Sequence, residues 1–86
     1  MTEKEITLLG FKKEYINDYE GDDSYYYALD IVDGLTFISQ TNEEVKGNEW
    51  NIDIFNTDPI VRFTNFTEVQ SLINLLNKKI IKNDVV

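Results

Sequence analysis

The densest group of chemically capable side chains is Asp18-Tyr19-Glu20-Gly21-Asp22-Asp23. Clustered carboxylates can hold calcium, and paired ones can act as acid and base in glycoside cleavage. The helix–loop–helix calcium pattern needs ligands at loop positions one, three and five, glycine at six and glutamate at twelve. With Gly21 at position six, Ile16 falls at one and Tyr27 at twelve, so the pattern fails. A solvated acidic loop is the simpler reading, with a weak adventitious calcium site as the alternative. Glycoside cleavage would also need a cleft for several sugar rings, which a single small sheet rarely makes.

Other chemistries fail on composition. The chain has no cysteine and no histidine. Disulfides, zinc–thiolate sites, iron–sulfur clusters and thiol nucleophiles are excluded, and hydrolase triads lose their usual base. The glycines at 10, 21, 34 and 47 stand isolated, so no phosphate-cradling loop is formed. These absences predict a protein that is not an enzyme and that needs no cofactor or resident metal.

Charge restricts the partners. From Glu14 to Val45 there are nine carboxylates and no lysine or arginine, and the net charge of the 86 residues is −8. Such a tract repels phosphate and favours cationic surfaces, so direct nucleic-acid binding is disfavoured. Plain solubility is the competing explanation of the same charge. Five tyrosines fall between Tyr15 and Tyr27. Tyr25 and Tyr27 are expected in the core, whereas Tyr19 and Tyr26 are candidates for exposure beside Asp18, Glu20 and Asp30. Tyrosine among acids suits protein recognition, because the ring offers area at low entropy cost while the acids steer a basic partner. The alternative is that strands favour tyrosine and that Tyr26 only shields the sheet.

The elements that position these groups follow from periodicity. Ile6 and Leu8 alternate with Thr7, and Gly10 interrupts the pattern as a bulge would, which predicts a first strand over Ile6–Tyr15. Ile16–Ser24 is turn-rich and reads as a loop. Tyr25, Tyr27, Leu29 and Ile31 share one face of a second strand, and Leu35–Ser39 forms a third. Asp33-Gly34 between them marks a hairpin. Burial favours a three-residue loop, Val32-Asp33-Gly34, which pairs Ile31 with Leu35, Leu29 with Phe37 and Tyr27 with Ser39. Trp50, Ile52 and Ile54 alternate with Asn51 and Asp53 in a fourth strand, and Ile60–Phe63 is a short fifth. Val69, Leu72, Ile73, Leu76 and Ile80 make one helical stripe within Thr67–Lys82, with Thr67 and Gln70 as a capping box.

The predicted fold is one α+β domain over residues 1–86. It is an antiparallel meander of four to five strands with one C-terminal amphipathic helix packed on one face. The other face is left to water and presents Tyr26, Ala28, Asp30, Thr36, Ile38, Gln40, Asn51 and Asp53. A chain this short buries only about 60–65% of its unfolded surface, so its stability is expected near the low end of the usual range. Neither a signal peptide nor a run of the ~20 apolar residues that a membrane helix needs is visible, which predicts a cytoplasmic protein.

The spacing of Leu9-Gly10-Phe11, Tyr25-Tyr26-Tyr27, Phe37-Ile38-Ser39, Trp50-Asn51-Ile52-Asp53-Ile54-Phe55, Ile60-Val61-Arg62-Phe63 and Val69…Leu72-Ile73 resembles a group of small uncharacterised proteins. These occur in bacteriophages and mobile elements of AT-rich bacteria. Ten isoleucines and nine asparagines fit AT-rich coding. The resemblance covers most of the chain, its motifs are structural, and it implies no activity and no binding residues. It points towards small phage proteins that bind and block a host protein.

The expected function is that of a small acidic binding protein, an inhibitor of the phage type, docking on a basic surface of a host protein. That host could be a nucleic-acid-binding or defence protein, with the carboxylates imitating phosphates. The expected contact residues are Asp18, Tyr19, Glu20, Asp22, Asp23, Tyr26, Asp30 and Asp53. Two alternatives stay open: an immunity- or antitoxin-type partner of a basic toxin, and a structural homo-oligomer that pairs through the open face or a sheet edge.

Overall fold

The computed structural model describes residues 1–16 and 24–81. It is an α+β fold: helix α1 (Glu3–Leu8), strands β1 (Lys12–Tyr15), β2 (Tyr25–Val32), β3 (Leu35–Ser39), β4 (Ile52–Ile54) and β5 (Arg62–Phe63), and helix α2 (Phe66–Lys79). The strands form one antiparallel sheet in the order β1-β2-β3-β4-β5, a meander.

Residues 3–8 are helical, which corrects the expected first strand over Ile6–Tyr15; only Lys12–Tyr15 pairs in the sheet. The reason is a capping box that the alternation of Ile6 and Leu8 concealed. Thr2 Oγ1 accepts from the Glu5 N–H at 3.2 Å, and Glu5 Oε1 accepts from the Thr2 N–H at 2.8 Å. Two otherwise unpaired donors at the helix start are thereby satisfied. Gly10, at φ 97°, is not a strand bulge; it lets the chain leave the helix in a left-handed conformation.

The β2–β3 register fits the burial argument but the turn closes differently. Leu29 faces Phe37 and Ala28 faces Ile38, as expected. Val32 then pairs with Leu35, so the loop is the two residues Asp33-Gly34, and the extra residue is absorbed as an irregularity between Asp30 and Val32. Gly34, at φ 90°, supplies the left-handed position. Beyond Ala28 side chains supplement the ladder, beside a backbone bond from the Asn42 N–H to the Tyr25 carbonyl at 2.9 Å. The Tyr27 N–H donates to Ser39 Oγ at 2.9 Å, and the Tyr25 N–H donates to Asn42 Oδ1 at 2.9 Å.

β4 pairs Ile54 with Phe37 and Ile52 with Ser39. Trp50 lies just outside it, where its N–H donates to the Met1 carbonyl at 2.7 Å and its carbonyl accepts from the Met1 ammonium at 3.1 Å. β5 is shorter than the expected Ile60–Phe63; only Arg62 and Phe63 pair with β4. The cap of α2 is Asn65, whose Oδ1 accepts from the Glu68 N–H at 3.0 Å, and not Thr67.

Both helices contribute to a core built on one sheet face, comprising Ile6, Phe11, Tyr27, Phe37, Trp50, Ile52, Val69 and Ile73. Burying each large apolar side chain contributes about 1.5–3 kcal/mol. The helical stripe is as expected through Leu76, with Val69 and Ile73 buried and Leu72 and Leu76 packed at the margin, but α2 ends at Lys79 and not Lys82, so Ile80 falls at its C-cap. None of the described helices is long and apolar enough to cross a membrane.

Glu3 ties α1 to the sheet. Its Oε2 accepts from the Tyr27 hydroxyl at 2.7 Å and from the Tyr25 hydroxyl at 2.8 Å. Burial, and then the bond to Glu3, pushes the Tyr27 phenol well above its ordinary value; for Tyr25 the bond to Glu3 is the larger cause. The folded state therefore holds these protons more tightly than the unfolded chain does. Their contribution to stability is full below about pH 10 and is lost as pH rises above it. In an alkaline titration followed by phenolate absorbance, Tyr25 and Tyr27 should ionise above the ordinary phenol value, together with unfolding. Glu3→Ala should lower both transitions, and unchanged titration curves would contradict this account.

Candidate functional site

The face opposite the helices follows from strand alternation. The register lines Lys12, Ala28, Ile38, Asp53 and Arg62 in one row across all five strands. Glu14 and Tyr26 pair in the row on one side, and Asp30 and Thr36 pair in the row on the other. The Phe55 N–H donates to the Thr36 carbonyl at 2.8 Å, which extends β4 by one contact beyond its last strand residue.

These side chains outline a groove with two confluent hollows. One, of about 290 Å³, is lined by Glu14, Tyr26, Ala28, Asp30, Thr36, Ile38 and Phe55. The other, of about 340 Å³, is lined by Ile16, Tyr26, Ile38, Ser39, Thr41, Glu44 and Phe55. Tyr26, Ile38 and Phe55 belong to both. The lining therefore has an aromatic and aliphatic centre, with Glu14 and Asp30 in the lining of one hollow and Glu44 in that of the other. Among the described residues no lysine or arginine lines either hollow.

The charges of this face are held differently. Asp53 accepts a two-pronged bond from Arg62, Nε to Oδ1 at 2.7 Å and Nη2 to Oδ2 at 3.0 Å. Its charge is already answered, so it differs from the free acid that the sequence suggested. Asp30 accepts from the Thr36 hydroxyl and keeps its exposure. Glu44 Oε1 accepts from both the N–H and the hydroxyl of Thr41, at 2.9 and 3.1 Å, which fixes the end of the groove. Gln40 is occupied between strands: its Oε1 accepts from the Asn51 N–H at 2.9 Å and its Nε2 donates to the Glu49 carbonyl at 3.3 Å.

Of the contact residues expected from sequence, Tyr26, Asp30 and Asp53 lie on this face. Asp18, Tyr19, Glu20, Asp22 and Asp23 lie outside the described residues. Other acids of the tract go elsewhere: Glu43 accepts from the Ser24 hydroxyl at 2.7 Å, and Asp33 sits in the β2–β3 turn. Among the described residues no group of three or more carboxylates could hold a metal ion. Sequence reasoning missed Phe55, although Asn51, Asp53 and Phe55 continue a single period-two face. It also missed Ile16 and Glu44, which the fold brings to the groove from loops.

Comparison with protein-family models, with curated proteins and with solved structures finds no match.

Phe55 and Phe37 make a direct contrast. Phe55 is 57% exposed and Phe37 is 0% exposed. Phe37→Ala should cost about 3–5 kcal/mol in urea unfolding, while Phe55→Ser should change stability by less than about 0.5 kcal/mol. A large loss for Phe55→Ser would make it a structural residue and remove it from the site.

Proposed function

We propose that this protein is a non-enzymatic binding module whose open sheet face docks on a basic surface of a protein partner and blocks it. The observation that carries this reading is the groove centred on Tyr26, Ile38 and Phe55, which is bordered by Glu14, Asp30 and Glu44 and, among the described residues, lined by no cation. Aromatic side chains supply the contact area that holds a complex together, and the carboxylates steer a cationic partner and reject phosphate. The resemblance to small phage proteins suggests the setting: an inhibitor made inside a bacterial cell and directed at a host protein whose basic site ordinarily meets a polyanion. The acidic residues 18–23 extend the same charge in sequence. The immunity-type reading uses the same face and the same chemistry, with a basic toxin as the partner.

The test is capture of a partner from host lysate, compared between the wild type, Tyr26→Ser/Phe55→Ser, and Glu14→Lys/Asp30→Lys. The expected result is a basic protein that both variants lose and whose capture falls as salt rises. A captured protein kept equally by both variants would overturn the proposal. So would a dimer of this chain that survives high salt and dissociates on Phe55→Ser, because the open face would then be a self-association surface.

A further inference from the structure

The groove has a shape and a chemistry more specific than a basic surface requires, and we propose that it is a seat for an arginine side chain of the partner. This rests on the open face being the docking surface. Each hollow, at about 290 and 340 Å³, lies at the small end of ligand-site volumes. That is space for a side chain and its neighbours, and the carboxylates of the lining disfavour a phosphate-bearing ligand. The centre is apolar and aromatic, where an aliphatic stem can lie against Ile38 and a planar cation can stack on Tyr26 or Phe55. The carboxylates stand at the rim, beyond that centre. Glu14 has no hydrogen-bond or ion-pair partner among the described residues, and Asp30 is engaged only by the Thr36 hydroxyl.

Arginine fits this order of surfaces better than lysine. Its guanidinium is weakly hydrated, stacks on aromatic faces and meets a carboxylate through two parallel bonds. A lysine ammonium is a compact, strongly hydrated point charge, which loses more on entering an apolar groove. The protein already uses this pairing on the same face, where Arg62 grips Asp53 through two bonds. Arg62, on the far edge strand β5, is itself held at Asp53 and so does not compete for Glu14 or Asp30. Lys12, the other cation of the face, occupies the β1 edge opposite Ala28 and does not line either hollow.

The experiment titrates the folded protein with three capped tripeptides, Leu-Arg-Leu, Leu-Lys-Leu and Leu-citrulline-Leu, followed by amide chemical shifts. Citrulline keeps the shape of arginine without its charge. The arginine peptide should shift Tyr26, Ile38, Thr36 and Phe55 saturably and bind at least about fivefold tighter than the lysine peptide. The citrulline peptide should give no saturable shift. Glu14→Gln/Asp30→Asn should weaken the arginine peptide about tenfold, with the rest of the spectrum unchanged. Equal binding of lysine and arginine overturns the arginine seat and leaves the basic-partner reading intact. Equal binding of citrulline, shifts confined to the helical face, or no saturation up to about 10 mM also overturns the seat. The broader reading falls separately, when partner capture is insensitive to the groove variants.

Discussion

The pairing of Leu29 with Phe37, and of Phe37 with Ile54, is the contact on which the rest depends. Phe37 is fully buried at the centre of the sheet. Side chains on a strand alternate, so this triplet decides which residues face the helices and which face water. A slip by one residue would turn Ile38 and Asp53 inward and expose Phe37 and Ile52. The irregularity near Ile31 lets the register coexist with a tight Asp33-Gly34 turn. The open face is thus a consequence of core packing and needs no separate device to hold it.

The helices reinforce the same asymmetry. α2 brings Val69 and Ile73 to the core, and α1 adds Ile6 from the chain start, so both helices cover the same face. Glu3 fastens this arrangement through two tyrosine hydroxyls. A buried hydroxyl without a partner would cost about 1–3 kcal/mol, so a single carboxylate that satisfies two of them matters more than an exposed ion pair such as Asp53–Arg62. The tyrosine-rich stretch is accordingly split: Tyr25 and Tyr27 belong to structure, and Tyr26 between them belongs to the surface.

Much of this was legible in sequence where a period ran long enough to be unambiguous. The Leu29–Phe37 pairing, the alternating Trp50–Ile54 segment and the stripe of α2 follow from spacing and burial. Short elements were not. Ile6, Thr7 and Leu8 fit either period, and the Thr2–Glu5 capping box, which decides for a helix, lies before the apolar residues. Asn65 and Thr67 can both cap α2, and only backbone geometry selects between them. The site was half legible. Tyr26, Asp30 and Asp53 follow from alternation. Phe55 continues the same alternation and was legible too, whereas the capture of Asp53 by Arg62 requires the β4–β5 pairing, and Ile16 and Glu44 reach the groove from loops, where periodicity carries no information.

One sheet face is sealed by the helices and the other is accessible. A chain without cysteine allows a direct measurement: the reaction rate of a single introduced thiol in the native protein. Ala28→Cys, half-buried on the open face, should react with a thiol reagent in the native protein, while Val69→Cys should be protected until denaturant unfolds it. Equal protection at both positions would mean that something covers the groove, and equal reactivity would mean that the helices do not seal the core; either result contradicts the account.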